Sequence, residues 1–148
     1  MGTTAATATT PIFVYGTLQY PSILNILLRR VPATTPATVS GFRRVRILNQ
    51  PYPAVLADPS SSVDGVLLSG LREEELEVLH DYEGEEYVLY GGVEAVTDAG
   101  PVECALYLWG DAYLNRLVQP MEPWDQPAFE RNDLDGFAAM LRGYYEEK

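Results

Sequence analysis

The chain has 148 residues, 47% of them apolar, and a formal net charge of −11 from 21 acidic and 10 basic side chains. A chain of this length and composition forms about one domain with a sizeable hydrophobic core. Its negative charge repels nucleic-acid backbones and anionic lipid surfaces, so neither a nucleic acid nor a membrane is an expected partner.

Cysteine and histidine are too rare for the sites that they commonly build. The single cysteine, Cys104, excludes an internal disulfide framework, and the single histidine, His80, excludes a histidine-rich metal site. The acidic residues lack the spacing of a calcium-binding loop. We therefore predict a protein without a metal site.

The beginning of the chain carries no recognisable targeting segment. The first ten residues have neither the basic nor the apolar part of a secretory signal, and we predict a flexible tail over 1–10. A single domain is predicted over 11–148. No apolar run reaches the roughly 18 residues that span a bilayer. These features indicate a cytoplasmic protein and leave its oligomeric state open.

The first half of the domain is predicted to contain one helix among several strands. A short buried strand over Ile12–Tyr15 is followed by a turn at Gly16-Thr17. Apolar spacing predicts a helix over Ser22–Arg30, and the proline- and threonine-rich segment after it is predicted as an extended connector. Further strands are predicted over Val39–Leu48, Ala54–Ala57 and Val63–Leu68, with a turn at Asp58–Ser62.

The second half is predicted to contain two helices around a hairpin. A helix over Arg72–Tyr82 is ended by Gly84. Two strands follow over Tyr87–Thr97 and Val102–Trp109, and the last helix carries an apolar stripe from Leu134 to Tyr144. The order β-α-β-β-β-α-β-β-α indicates an α+β fold, a small mixed and mainly antiparallel curled sheet or barrel with flanking helices.

The stretch FVYGTL, Phe13–Leu18, places a glycine and a hydroxyl directly after the first strand. Gly16 permits a backbone conformation that a side chain would forbid, and the amides of Gly16, Thr17 and Leu18 are free to bind an anion or a carbonyl oxygen. The alternative is an ordinary turn between a strand and a helix, with Tyr15 in the core. Phosphate-loop and dinucleotide spacings are both absent.

The stretch HDYEGEEY, His80–Tyr87, gathers four acids at the C-terminal end of a helix, where the helix dipole disfavours negative charge. If Glu83 turns inward, burial and the like charges around it raise its pKa toward the range of a general acid or base. The alternative is a solvated acidic loop. The pattern by itself leaves both interpretations open.

Other reactive side chains are interpreted as structural. Cys104 lies in an alternating strand and is expected to be a small buried hydrophobe, and His80 is expected on a partly exposed helix face. A cluster of arginines is interpreted as a solvated face: Arg29, Arg30, Arg43, Arg44 and Arg46. A hydrolase with two opposed acids is disfavoured because Asp81 and Glu83 point in different directions on a helix.

Several of these stretches resemble the γ-glutamylcyclotransferase-like family, in particular its plant-type, avirulence-induced branch. Phe13–Leu18 matches the family's YG[ST]L loop, Tyr52–Ala54 its YPA segment, and Asp81–Gly84 with Glu86-Tyr87 its D-aromatic-E-G…EY segment. Ala105–Trp109 resembles its late aromatic strand. The order and spacing of these segments carry the resemblance.

The resemblance implies a small αβ barrel in which the first loop and the glutamate segment meet at one pocket. Members of the family cyclise a γ-glutamyl group to 5-oxoproline and release the attached amine or amino acid, without a cofactor. Glu83 would be the general acid/base, and the substrate would be held by Tyr15, Gly16, Thr17, Leu18, Tyr87 and Tyr107. The resemblance does not decide among three classes of substrate, which are glutathione-type γ-glutamyl dipeptides, γ-glutamyl amines and isopeptides to lysine. A non-catalytic binding or stress-response protein with the same pocket is the alternative.

Overall fold

The computed structural model describes residues 10–146. Residues 1–9 of the tail predicted over 1–10 therefore lie outside the described residues. Within residues 10–146 the chain forms five strands and four α-helices. They are β1 (Ile12–Val14), α1 (Pro21–Leu28), β2 (Ala33–Arg46), β3 (Pro53–Ser69), α2 (Glu73–Glu83), β4 (Tyr87–Thr97), β5 (Gly100–Trp109), α3 (Gln126–Asn132) and α4 (Leu134–Glu146). Short 3₁₀ turns cover Thr17–Gln19 and Asp111–Arg116. Across residues 10–146, no helix combines the length and apolarity of a membrane span.

The strands form a closed barrel in the order β1-β3-β2-β4-β5. Every neighbouring pair is antiparallel except β1 and β5, which are parallel and close the barrel. Closure removes unpaired strand edges, which explains how β1 can be three residues long and still be fixed. The predicted α+β class, with a mainly antiparallel barrel and flanking helices, is confirmed.

Two of the predicted boundaries are wrong, both around the long hairpin of β2 and β3. The segment predicted as a connector is the first half of β2, because its residues pair with the end of β3 from Ala33↔Ser69 onward. The turn predicted at Asp58–Ser62 does not end a strand. The register passes from Ser40↔Ser62 to Phe42↔Ala57, so the intervening residues bulge outward, and hydroxyls of this bulge donate to the Asp58 carboxylate.

Helix α3 was not predicted, because it is only seven residues long and has no apolar stripe of its own. Its start is nevertheless marked in the sequence. The Asp125 carboxylate accepts a hydrogen bond from the Ala128 amide at 3.0 Å, and Pro127 occupies the first turn. Phe129 anchors the helix in the core with 2% of its surface exposed.

Strand β1 lies between two parts of the hydrophobic core. Phe13 and Tyr15 point into the barrel, whereas Ile12 and Val14 pack outward against α1, α2 and α4. This alternation follows from the two-residue period of a strand. The turn that follows β1 therefore lies next to these helices.

Helix α2 is fixed at both ends. At its start the buried Glu75 carboxylate accepts from the Arg72 amide at 2.9 Å and pairs with the Arg30 guanidinium at 2.6 Å. At its end Gly84 has φ +83°, which a residue with a side chain rarely adopts, and its amide donates to the His80 carbonyl at 3.0 Å. This sharp end makes Glu83 the last residue of the helix.

Candidate functional site

A cavity of about 320 Å³ lies where the end of β1 meets the end of α2 and the length of α4. All residues that the sequence marked as site residues line it: Tyr15, Gly16, Thr17, Leu18, Glu83, Tyr87 and Tyr107. The opening turn and the acidic stretch, which lie far apart in the sequence, thus share one concave site. Within residues 10–146, no cluster of three or more side chains is suited to holding a metal ion.

Gly16 is required by a close approach of another strand. Its φ is −127°, and a Cβ atom at this position would lie 2.8 Å from Cδ of Pro53. Real Cβ atoms do not come this close to a ring carbon that cannot move away. Packing against Pro53 is therefore one reason for the glycine at this position.

Three backbone amides of the turn donate no hydrogen bond to the described residues. The Gly16 and Thr17 carbonyls accept from the amides of Gln19 and Tyr20 at 3.1 and 3.3 Å. The amides of Gly16, Thr17 and Leu18 donate to no group within residues 10–146. The first amides of a helical turn have no partner inside that turn, so these three are available to a bound oxygen.

A hydrogen bond ties the turn to the end of α2. The Thr17 hydroxyl and the Tyr82 hydroxyl lie 2.6 Å apart, and Thr17 is only 5% exposed. Burial raises the pKa of the Tyr82 phenol, so it stays protonated and able to donate. Since Tyr82 precedes Glu83, this bond fixes the end of α2 relative to the turn.

Glu83 is a carboxyl without a protein partner. It forms no hydrogen bond or ion pair with any group in residues 10–146. Glu83 is half-buried in the wall of the cavity, and this partial burial raises its pKa from 4.5 to about 8. The neighbouring acids, which the sequence suggested would contribute, add nothing to the shift. At neutral pH the empty site therefore holds Glu83 mostly as the neutral acid.

Phenols surround this carboxyl. Burial raises the pKa of each of five tyrosines, and the charge of Glu83 raises it further: Tyr15, Tyr52, Tyr82, Tyr87 and Tyr107. Several of their hydroxyls are held by backbone carbonyls. The Tyr87 hydroxyl donates to the Pro53 carbonyl at 2.8 Å, and the Tyr15 hydroxyl donates to the Tyr107 carbonyl. The site is thus a polar centre with aromatic walls.

Helix α4 supplies the outer wall, which sequence reasoning missed. Its contributions are Phe137, Met140, Leu141, Tyr144 and Tyr145. The apolar stripe predicted the helix correctly, but a stripe that packs in the core and one that lines a cavity have the same helical spacing. Only the tertiary arrangement distinguishes them.

Arg44 corrects the prediction of a solvated arginine face. Its Nη1 lies 2.7 Å from the Tyr15 carbonyl and 3.2 Å from Oε1 of Gln126, and its guanidinium lies 5.0 Å from the centre of the Trp124 ring. Burial lowers its pKa. Arg44 therefore braces the chain where it enters the opening turn.

Two further side chains can now be placed. Cys104 is fully buried and burial raises the pKa of its thiol to about 11, as expected of a structural cysteine. His80 is exposed as predicted, but its Nδ1 lies 2.6 Å from the Tyr107 hydroxyl. No local pattern predicts this contact between α2 and β5.

A concave cavity with aromatic walls, an unpaired acid and free amides is typical of a small-molecule site. The family model described as γ-glutamyl cyclotransferase, AIG2-like, matches residues 12–126, and the chain belongs to that family. AIG2-like protein C of Arabidopsis thaliana is 30% identical over 138 residues, which cover 93% of this chain and 78% of that protein.

Solved structures share the fold. A protein of Arabidopsis thaliana solved in solution has a TM-score of 0.67 and 26% identity, over 93% of this chain and 82% of that one. A structure named as a γ-glutamyl cyclotransferase has a TM-score of 0.62 over 90% and 86% of the two chains. At 17% identity, this second likeness concerns the fold alone.

Proposed function

We propose that the protein cyclises the γ-glutamyl group of a small substrate to 5-oxoproline and releases the attached amine, with Glu83 as general acid/base. One observation carries the proposal: an unpaired carboxyl with a pKa of about 8 shares a cavity with three unused backbone amides. A carboxyl with a pKa near the working pH is suited to both taking and giving a proton. Membership in the family supports the same reaction.

The reaction needs no nucleophile from the protein, because the substrate supplies it. The incoming α-ammonium favours the carboxylate form of Glu83, so the acid first loses its proton to solvent, and the carboxylate then takes one proton from the ammonium. The free amine attacks the γ-carbonyl carbon, and the N–C bond of a five-membered ring forms. Glu83 then donates its proton to the departing nitrogen. The ring nitrogen gives its second proton to the same carboxylate, the bond to the leaving group breaks, and Glu83 ends the cycle protonated.

The opening turn stabilises negative charge in this scheme. The amides of Gly16, Thr17 and Leu18 donate to the α-carboxylate of the substrate or to the oxyanion that forms when the γ-carbonyl is attacked. Because the Thr17–Tyr82 bond fixes the turn relative to α2, donors and base keep a constant spacing. Such fixed donors lose no reorganisation energy during the reaction.

The charge of the cavity limits the leaving group. Among the described residues that line it there are three acids, Asp81, Glu83 and Glu86, and no lysine, arginine or histidine. A leaving group with its own carboxylate, as in glutathione-type dipeptides, would find no cation in this lining to pair with, since Arg116, which lies outside it, is already paired with Glu86 at 2.8 Å. The aromatic wall of α4 instead fits the body of an uncharged or cationic amine. These features favour γ-glutamyl amines.

The proposal is tested by assaying a panel of γ-glutamyl compounds for free 5-oxoproline. We expect turnover by the wild type and a loss of at least about 100-fold in kcat for Glu83→Gln, which keeps the shape but cannot exchange a proton. Glu85→Gln is the matched control, since Glu85 is exposed and does not line the cavity. Binding of these compounds without release of 5-oxoproline would overturn the proposed enzymatic activity and favour a non-catalytic binding protein.

A further inference from the structure

Each free amide of the opening turn belongs to a peptide unit whose carbonyl already accepts a hydrogen bond. The Gly16 carbonyl accepts from the amide and the side chain of Gln19 at 3.1 and 3.2 Å, and the Thr17 carbonyl accepts from a backbone amide at 3.3 Å. The Tyr15 carbonyl accepts from Nη1 of Arg44 at 2.7 Å. This last bond is the shortest of the four, and its donor carries a positive charge.

The bond from Arg44 bears on one amide in particular, that of Gly16. The Tyr15 carbonyl and the Gly16 N–H are the two ends of one planar peptide unit, and in a trans unit they point in opposite directions. The cis peptide bond recorded for residues 10–146 lies elsewhere, so this unit is trans. The Gly16 N–H therefore points away from Arg44. Gly16 lines the cavity, whereas Arg44 does not.

The charge of Arg44 is not taken up by an ion pair. The arginines that form ion pairs within residues 10–146 are Arg30, Arg46, Arg72 and Arg116. The other contacts of Arg44 are the uncharged side chain of Gln126 and the ring of Trp124. A guanidinium stays charged even where burial lowers its pKa. The Tyr15 carbonyl therefore accepts a charge-assisted hydrogen bond.

We propose that Arg44 is a positioning residue that strengthens the Gly16 amide as a donor to a negative oxygen of the substrate. The proposal rests on the function proposed above, in which the amides of the turn bind an α-carboxylate or an oxyanion. A charged donor on a carbonyl draws electron density from the peptide nitrogen, so the N–H at the other end becomes more positive. Because the guanidinium is in place before the substrate arrives, this polarisation requires no movement during the reaction.

The polarisation can be measured without any substrate, by NMR of the Gly16 amide. We expect its ¹⁵N resonance to move upfield in Arg44→Met and to stay close to that of the wild type in Arg44→Lys, which keeps the charge. Hydrogen exchange of this amide, catalysed by base, should slow by about twofold or more in Arg44→Met, because a less polarised N–H is less acidic. If Arg44 were only structural, its loss would loosen the turn and make the exchange faster.

The consequence for the reaction is measured in the assay for 5-oxoproline. Arg44→Met should lower kcat/KM by about tenfold, and Arg44→Lys should restore most of this loss. Arg43→Met is the matched control and should keep the kcat/KM of the wild type. It removes the same charge from the neighbouring position of β2, where the guanidinium donates at 3.4 Å to the carbonyl of Met121, outside the turn.

The outcomes separate this proposal from the proposed function. Faster exchange of the Gly16 amide in Arg44→Met, an unchanged kcat/KM in this variant, or an equal loss in Arg44→Lys would overturn the role of Arg44. If the Gly16 signals respond as expected but no γ-glutamyl compound releases 5-oxoproline, the proposed reaction is wrong and the polarised donor remains.

Discussion

Replacing Glu83 by glutamine should make the stability of the protein less dependent on pH. The pKa of Glu83 is about 8 in the folded chain and near 4.5 when the chain is unfolded. Between these two values the folded state binds more protons than the unfolded state, so the free energy of unfolding falls as pH rises. Below pH 4.5 and above pH 8 this contribution is constant. Glutamine has no proton to lose and removes the contribution entirely.

The size of the effect follows from the pKa values. A pKa that moves from 4.5 to about 8 corresponds to about 5 kcal/mol of free energy between the lower and the upper limit. This is a ceiling, because the carboxyl keeps part of its surface open to the cavity. We expect the difference in unfolding free energy between Glu83→Gln and wild type to change by about 2–4 kcal/mol from pH 5 to pH 9.

Urea unfolding at a series of pH values measures this difference. Trp109 and Trp124 are 4% and 8% exposed, so their fluorescence reports loss of the fold. Any constant cost of burying the glutamine amide moves the whole curve of the variant and leaves its slope unchanged. Glu85→Gln should follow the wild type. Parallel curves for wild type and Glu83→Gln, within about 0.5 kcal/mol, would show that the carboxyl is hydrated and refute the reasoning.

Three further expectations concern the site. The kcat/KM of the wild type should rise with pH through an apparent pKa near 8, because kcat/KM reports ionisation of Glu83 in the free enzyme. A flat profile of kcat/KM from pH 6 to 9 would contradict the role of Glu83 as the base. Gly16→Ala should cost about 1–3 kcal/mol in urea unfolding through the contact with Pro53, and an unchanged midpoint would show that the turn yields freely. Tyr82→Phe should lower the free energy of unfolding by about 1–2 kcal/mol, because it leaves the Thr17 hydroxyl unpaired. Combining it with Thr17→Val should recover part of this loss. If calorimetry shows that the effects of the two substitutions simply add, the hydrogen bond does not contribute to stability.

The local elements of the fold could be predicted because their signals are local. The end of α2 at Gly84 and the hairpin between β4 and β5 depend on residues close in sequence, and both lie where they were predicted. The continuity of β3 could not be predicted from Asp58–Ser62. Serine and proline indicate a turn, and only pairing with β2 across the bulge shows that the strand continues.

The candidate site was predictable in part, and mainly through the family resemblance. The residues near Gly16 and Glu83 do not predict that these two positions lie close together. Neither hydrophobic periodicity nor composition indicates a contact between residues so far apart in the sequence. The resemblance supplied that link. It did not supply the wall formed by α4, the brace at Arg44 or the contact of His80, because each depends on packing between distant elements.

The burial of Glu83 resolves the conflict that first drew attention to it. A carboxylate at the C-terminal end of a helix is repelled by the helix dipole, and the sequence offers no lysine or arginine close to Glu83 to compensate it. The neutral acid avoids this repulsion, because it carries no net charge. Burial and the dipole therefore act in the same direction, and both oppose the charged form. A substrate ammonium is the one group in the proposed reaction that reverses this balance, which couples ionisation of the base to arrival of the substrate.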